Sequence, residues 1–148
     1  MRQHFYPTMV EAADVDLSWI RGRAIRAVVW SDPLPWEFFF DDGTRVMVFT
    51  PWRILQDGRI AISCDDHAQQ YGLPAPVDAV ARARELLTER TVVEVAVQEG
   101  TLDLRVTFSS GALLEIIPFS CGYESWQITS PGRRAVVATG GGIATYEK

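Results

Sequence analysis

Few side chains in this 148-residue chain have the types and spacing that catalysis requires. His4 and His67 are the two histidines, and Cys64 and Cys121 are the two cysteines. A serine or cysteine nucleophile needs a base within hydrogen-bond reach, and no motif places such a pair close together along the chain. We therefore assign no catalytic residue, favour a non-enzymatic role and expect no cofactor. The cysteines are interpreted as free thiols of a reducing compartment.

The most distinctive polar and aromatic cluster is Tyr123-Glu124-Ser125-Trp126. In a functional interpretation it forms an aromatic wall, with Glu124 as a hydrogen-bond acceptor or weak base. In the structural interpretation, which the pattern favours, Trp126 lies in the core and Glu124 accepts amides of a turn. Tyr123, Glu124 and Trp126 are kept as candidate binding residues.

A second candidate segment is Cys64-Asp65-Asp66-His67, whose side chains are of the kinds that bind metals. Adjacent residues rarely all point at one ion, and no His-x-x-x-His or Cys-x-x-Cys spacing supports them. We therefore predict no metal site, and the segment also suits a solvated loop. Asp66 and His67 remain candidate binding residues, and with Glu124 they would be the first metal ligands to examine.

The third candidate is Trp36, one of five tryptophans in the chain. It stands beside Pro33 and Pro35, and strand packing explains it least well. Buried tryptophan needs a partner for its N–H group and therefore often lies at interfaces and clefts. Trp36 either caps a sheet edge or marks a surface for a partner.

Strands must position these candidates, because the chain contains two copies of one β-unit. Phe38–Val48 returns as Val106–Ile116, an offset of 68 residues, and Trp52 returns as Trp126, an offset of 74. The first strand of each copy is expected to place Ile25, Ala27 and Val29, or Val93, Val95 and Val97, on one face. Matching positions are scaffold, so a difference in function should lie in unmatched loops.

Turn residues predict how the strands are joined. A three-residue loop at Asp41-Asp42-Gly43, with Gly43 left-handed, sets Phe38 opposite Val46 and gathers the apolar residues on one face. Ser109-Ser110-Gly111 predicts the same loop in the second copy. Further hairpins are expected at Gln56-Asp57-Gly58 and, before a last strand, at Gly140-Gly141-Gly142.

The elements together predict one α+β domain. Residues 1–16 form a loosely held arm, pseudo-repeat one spans about 16–63, linker and helix 64–89, and pseudo-repeat two about 91–146. The helix is expected over Pro76–Glu89. Each repeat is an antiparallel β-meander, and the two either pack as a sandwich or open barrel or form one continuous sheet. Exposed strand edges predict a homodimer.

Composition excludes several classes of partner. The formal net charge is −5, and nucleic-acid binding requires clustered Lys and Arg, so we predict no nucleic-acid partner. No apolar run approaches the ~18 residues that span a bilayer, so we predict no membrane partner. The first residues lack the order of a signal peptide, and cytoplasmic localisation is expected.

Several motifs resemble those of a family of short bacterial, largely actinobacterial, proteins of unknown function. They are Phe108-Ser109-Ser110-Gly111, Tyr123-Glu124-Ser125-Trp126-Gln127-Ile128, Pro131-Gly132 and the glycine run, together with Asp16-Leu17-Ser18-Trp19-Ile20 and Phe40-Asp41-Asp42-Gly43. That family carries a Tyr-Glu-Ala/Ser-Trp segment followed by a glycine-rich tail, and the resemblance covers about residues 16–146. It implies no activity and no catalytic residues.

Two functional hypotheses follow. The first is a non-enzymatic protein-interaction or binding module with a protein partner, in an accessory or toxin-neutralising role. It follows from the acidic charge, the aromatic excess and the lack of a reactive constellation. The alternative is a small-ligand-binding protein or enzyme with a cleft near Tyr123, Glu124, Trp126 and His67.

Overall fold

The computed structural model describes residues 7–132, 134–140 and 142–147, and within these it is mostly antiparallel β with one helix, an α+β protein. His4 and Gly141, named above, lie outside the described residues. The elements are β1 (Thr8–Val10), β2 (Ile25–Trp30), β3 (Trp36–Phe40), β4 (Arg45–Val48), β5 (Trp52–Gln56), β6 (Arg59–Ser63), α1 (Ala79–Leu87), β7 (Val92–Val97), β8 (Leu104–Phe108), β9 (Leu113–Ile116), β10 (Trp126–Ser130), β11 (Arg134–Thr139) and β12 (Gly142–Glu147).

The strands form two sheets, and the chain exchanges strands between them. The first sheet has the order β1-β12-β11-β10-β4-β3-β2, and the second has the order β6-β5-β9-β8-β7. The meander β2-β3-β4 therefore ends against β10, while β7-β8-β9 ends against β5. A continuous meander through β4 and β5 was the wrong expectation, because the short segment between them carries the chain into the other sheet. One continuous sheet is likewise not observed.

The predicted turns at Gly43, Gly111 and Asp57-Gly58 are confirmed, whereas the one at Gly140-Gly141-Gly142 includes Gly141, which lies outside the described residues. Gly43 and Gly111 both have positive φ, and Phe38 pairs with Val46 just as Val106 pairs with Leu114. In the β5–β6 hairpin Asp57 and Gly58 both have positive φ, as a two-residue turn of type I′ requires. Side-chain alternation and glycine together fixed these registers.

The expected face of the first strand was wrong in β2 and partly right in β7, because each strand contains a bulge. Val95 and Val97 pack against the core on one face as predicted, whereas Val93 is exposed. The register shifts between Ile25 and Ala27 in β2, and between Val92 and Glu94 in β7. A bulge adds one residue and turns the following side chains over. Ile25 and Val28 are consequently buried, whereas Val29 is exposed.

The loose arm was predicted over residues 1–16, and its described part, residues 7–16, contains a paired strand instead. Residues Thr8–Val10 form an edge strand, β1, paired with β12 from Ile143 to Thr145. Val10 packs against the core from this edge.

One hydrophobic core combines residues of both sheets. Phe38 of the first sheet lies 5.3 Å from Trp52 of the second, measured between ring centroids. The largest fully buried side chains are Trp52, Trp126, Phe38, Phe108, Ile20, Ile25, Ile54, Leu87, Leu104, Leu114, Ile116 and Ile128.

Helix α1 is shorter than predicted and covers the edge of the first sheet. It begins after Asp78, whose carboxylate accepts the N–H of Ala81, as an N-cap does. The helix packs against β2 and β6. Arg84 donates from Nε to the carbonyl of Val28 at 3.0 Å. Among the described residues, no helix has the length and apolarity that crossing a membrane requires.

Candidate functional site

A depression of about 340 Å³ lies where the β2–β3 loop, the β4–β5 connection and the residues after β6 meet. We call it the aromatic depression, because Trp30 and Trp36 line it together with His67. Further apolar lining comes from Pro33, Leu34, Phe49, Pro51 and Ala68. Leu34 is 48% exposed, so this surface is open to a binding partner.

Strand pairing assembles the aromatic group. Trp30 ends β2 and Trp36 begins β3, and these two residues are cross-strand partners. Their rings stack at a centroid distance of 5.2 Å and an interplanar angle of 21°. His67 contacts both rings edge-on, at 4.5 Å from Trp30 and 5.7 Å from Trp36. Trp36 also packs edge-to-face on Trp52 at 5.0 Å, which anchors the group in the core.

The position of His67 is fixed by the start of helix α1. Its Nδ1 accepts the N–H of Ala79 at 3.1 Å. An imidazole nitrogen that accepts a hydrogen bond carries no proton, so in this arrangement the proton of the neutral ring is on Nε2. One nitrogen of His67 is therefore occupied by the hydrogen bond to the helix, and the ring packs against Trp30 and Trp36.

Asp66 stabilises the loop and does not line the depression. One carboxylate oxygen accepts the N–H and the hydroxyl of Ser63, at 2.9 and 3.2 Å. The other accepts the hydroxyl of Tyr71 at 2.8 Å. Both oxygens are thus occupied by protein donors, and the neighbouring Asp65 is the carboxylate that lines the depression.

Cys64 lines the aromatic depression as a protonated thiol. Burial raises the pKa of its thiol above the ordinary value. Its Sγ accepts the backbone N–H of Trp52 at 3.4 Å. A reactive cysteine has a lowered pKa, so Cys64 does not have the properties of a nucleophile.

A second depression, of about 270 Å³, occupies the corresponding end of the other meander. The β7–β8 loop, the β9–β10 connection and the end of β11 line it, including Leu102, Phe119, Cys121 and Gly140. Its cross-strand pair equivalent to Trp30 and Trp36 is Val97 and Leu104, and Leu104 is fully buried. The second depression therefore has no stacked aromatic pair at this position.

The two depressions also differ in how a core tryptophan is hydrogen-bonded. Trp126 pairs with Val48, and Trp52 pairs with Ile116, so each tryptophan sits beside the last residue of a meander. The Nε1 of Trp126 donates to the carbonyl of Leu102 at 2.8 Å. The buried Nε1 of Trp52 has no hydrogen-bond partner among the described residues.

Tyr123 and Glu124 lie in the β9–β10 connection and do not line the aromatic depression. Tyr123 is 81% exposed, and Phe119 in the same connection is 79% exposed. Glu124 is hydrogen-bonded to Gln127, and partial desolvation raises the pKa of its carboxyl. The aromatic side chains of this connection, Phe119 and Tyr123, are therefore exposed to solvent.

Of the six residues selected from the sequence, the structure brings Trp36 and His67 into contact. Trp126 is buried in the core, and Asp66 holds its own loop. Trp30 and Leu34 were missed as site residues. The signal that could have found Trp30 is its position before the Ser31–Pro35 loop, across from Trp36 in a hairpin.

No group of three or more His, Cys, Asp or Glu side chains in the described part of the chain is arranged to hold a metal ion.

Comparison with known proteins assigns the chain to a family. It belongs to a family of unknown function (DUF6188), which matches residues 16–147. The membership in a family of unknown function expected from the motifs is thereby confirmed. No curated protein and no solved structure matches the chain significantly.

Proposed function

We propose that this member of the DUF6188 family is a non-enzymatic protein-interaction module, and that it receives an apolar anchor of a partner protein in the aromatic depression. The observation that supports the proposal is the contact of Trp30, Trp36 and His67 beside the exposed Leu34. Tryptophan is enriched among the residues that dominate binding energy at protein interfaces. An accessory or toxin-neutralising role in a bacterium is the first to examine.

The dimensions and charge of the aromatic depression indicate the chemistry of the anchor. About 340 Å³ is near the lower end of the range of ligand sites, roughly 300–1,000 Å³, which suits one large apolar side chain. Asp65 is the charged side chain in the lining. The chain carries a net charge of −5, so a positively charged segment beside the anchor would be attracted.

The potentially reactive groups in the aromatic depression support binding rather than catalysis. Nucleophilic catalysis by cysteine requires a thiolate and a free base. Burial raises the pKa of the Cys64 thiol, and His67 accepts a helix amide through Nδ1. Neither side chain is arranged to activate the other.

The alternative of a small-ligand site shared by Tyr123, Glu124, Trp126 and His67 has less support. Trp126 is fully buried, with its donor bonded to Leu102. Tyr123 projects into solvent, and His67 lines the aromatic depression. The contacts of His67 are with Trp30 and Trp36.

We further propose that the two sheets pack as a sandwich of two repeated units related by a pseudo-two-fold axis. The equal registers of β2–β4 and β7–β9 support this. So does the contact of Trp36 with Trp52 between the sheets. The aromatic depression is then the feature of one unit that the other does not share.

The test is a matched pair of substitutions at exposed leucines. Leu34→Asp puts a charge into the aromatic depression, whereas Leu73→Asp changes a leucine of equal exposure (50% against 48%) that does not line it. The full-length chain and both variants are used as bait in a lysate of the source organism, and captured proteins are quantified by mass spectrometry. Dissociation constants are then measured for each captured protein.

We expect a partner that binds the unchanged chain and Leu73→Asp with equal affinity and binds Leu34→Asp at least ~10-fold more weakly, as for a contact near a hot spot. Both variants should keep their unfolding free energy within ~0.5 kcal/mol, because exposed substitutions have small effects. Equal binding of all three proteins to every captured partner would contradict the proposal.

A further inference from the structure

We infer that the outer edge of β7 pairs antiparallel with β7 of a second copy of this chain, so that the two five-stranded sheets join across a two-fold axis. The proposed surface comprises Glu94, Val95, Ala96 and Val97. It is separate from the aromatic depression, since none of these residues lines it.

The backbone of β7 presents free hydrogen-bonding groups at alternate residues. The N–H of Gln98 donates to the carbonyl of Asp103. These two residues therefore form a hydrogen-bonded pair that extends the β7–β8 ladder by one position. Hydrogen-bonded pairs alternate along an antiparallel ladder. Ala96 and Glu94 therefore bond to β8, and the N–H and C=O groups of Val95 and Val97 point away from it. Among the described strands, β8 is the one that pairs with β7 over Val92–Val97.

The equivalent edge of the first sheet is covered. Val28 pairs with Phe38, as Val95 pairs with Val106, so these two valines occupy the same register position. The outward carbonyl of Val28 accepts the guanidinium of Arg84 from helix α1. The element that packs against β7, in the place that helix α1 takes beside β2, is a 3₁₀ turn of three residues, Ser18–Ile20. The carbonyl of Val95 has no such donor in the described part of the chain.

The other free edges are less suited to pairing. β1 has three residues, and β6 is irregular in its pairing with β5 and lies beside α1. Natural edge strands are protected by shortness, bulges, proline or lysine. The segment Glu94–Val97 is regular and contains no proline or lysine, and the bulge of β7 lies just before it, at Val93.

The sequence of β7 is complementary to itself. A two-fold axis through Val95 sets Val95 opposite Val95 of the second copy and Glu94 opposite Ala96 of the second copy. No like charges then stand directly opposite each other. The two Glu94 side chains are diagonal neighbours, and Arg105, the partner of Ala96 on β8, adds positive charge on the same face. An isologous contact of this kind closes at two copies.

The test compares two charges at exposed Ala96 with a proline at Val95. Ala96→Asp places a carboxylate opposite Glu94 of the second copy, and Ala96→Lys places an ammonium there. Val95→Pro removes an N–H that points away from β8, so the ladder within the chain keeps its bonds. Sedimentation velocity and light scattering from about 1 to 100 μM, at low ionic strength, give the dimer dissociation constant.

We expect the unchanged chain to dimerise and Val95→Pro to be monomeric. Ala96→Asp should raise the dissociation constant of the dimer about tenfold, whereas Ala96→Lys should leave it unchanged or lower it. Leu34→Asp should dimerise like the unchanged chain. Loss of dimerisation through β7 can therefore be distinguished from loss of partner binding in the aromatic depression. If Val95→Pro does not fold, the two Ala96 variants still decide. A monomeric unchanged chain, equal dimerisation of both Ala96 variants, or pairing of β7 with a different protein would overturn the inference.

Discussion

The two ends of the molecule that carry the depressions have the same strand registers and different surroundings. At one end Trp30 and Trp36 stack across the strand pair and contact His67. At the other end the same pair is Val97 and Leu104, and the carbonyl of Leu102 accepts the donor of Trp126. The difference shows that one pattern of strand pairing can bond its core tryptophan to a loop at one end and line a depression with a stacked aromatic pair at the other.

The loops cause this difference. In the second half the β7–β8 loop turns its Leu102 carbonyl onto Trp126 and so closes the core. In the first half the carbonyl of Pro33 accepts from Nε1 of Trp30 at 3.0 Å, within the β2–β3 loop itself. The loop is thereby held at Trp30 and leaves Leu34 exposed beside the depression. Three comparisons within the molecule test this account.

The largest effect is expected at Gly140, which lies in the second depression. A Cβ added there would overlap the carbonyl oxygen and carbon of Cys121, which are backbone atoms. Because backbone cannot move aside cheaply, Gly140→Ala should lower the free energy of unfolding by ~3 kcal/mol or more, at the upper end of overpacking effects. Urea denaturation of the full chain measures it.

Gly122→Ala is the matched control, because a Cβ at Gly122 would meet no atom within 4 Å. Its unfolding free energy should stay within ~0.5 kcal/mol of the unchanged chain. A comparable loss in both variants would show that the close approach of Gly140 to the β9–β10 connection is not what holds this end closed.

A smaller effect should separate the two core tryptophans. Trp126→Phe and Trp52→Phe both shrink a fully buried side chain, so their packing costs should be similar. Trp126 donates a hydrogen bond to Leu102, whereas Nε1 of Trp52 has no partner within the described part of the chain. Losing that bond should make Trp126→Phe more destabilising by ~1 kcal/mol, and by up to ~3 kcal/mol if the carbonyl is left unsatisfied.

Urea denaturation with equal m-values in both variants is the measurement for the tryptophans. Equal losses of stability, or a larger loss for Trp52→Phe, would mean that the hydrogen bond of Trp126 does not distinguish the two ends of the core.

Local sequence features predicted the turns well and the exchange of strands poorly. Asp41-Asp42-Gly43 fixes its own register, because a one-residue slip would turn the buried Phe38 and Phe40 away from the core. The segment Phe49-Thr50-Pro51 carries no comparable signal. Whether the next strand pairs with its predecessor or joins the other sheet depends on contacts with β9, which is distant in sequence. The bulges in β2 and β7 were missed for a related reason, since no residue type marks them.

The candidate site was predicted in part. Trp36 stood out because its proline neighbours made strand packing a poor explanation for it, and His67 because it belongs to a segment of side chains that can bind metals. Their contact is set by β3 and by the amide of Ala79 that holds His67, and neither could be placed in space from the sequence. Trp30 was not selected, since its partner across the hairpin depends on the register.

The smallest expected effect uses the two free cysteines, one in each depression. Burial raises the pKa of the Cys64 thiol above the ordinary value, whereas Cys121 is exposed. Iodoacetamide reacts with the thiolate, and a raised pKa means that less thiolate is present at any pH below it. At pH 8 Cys64 should therefore be alkylated more slowly than the exposed Cys121, and its rate should still increase at higher pH.

Peptide mass spectrometry of time points follows both cysteines in one sample, so Cys121 serves as the internal control. Equal rates at the two residues would mean that the aromatic depression does not bury Cys64 as described. A partner that occupies the aromatic depression should slow Cys64 further and leave Cys121 unchanged. Protection of Cys121 instead would place binding in the second depression, because Cys121 lines that end of the molecule.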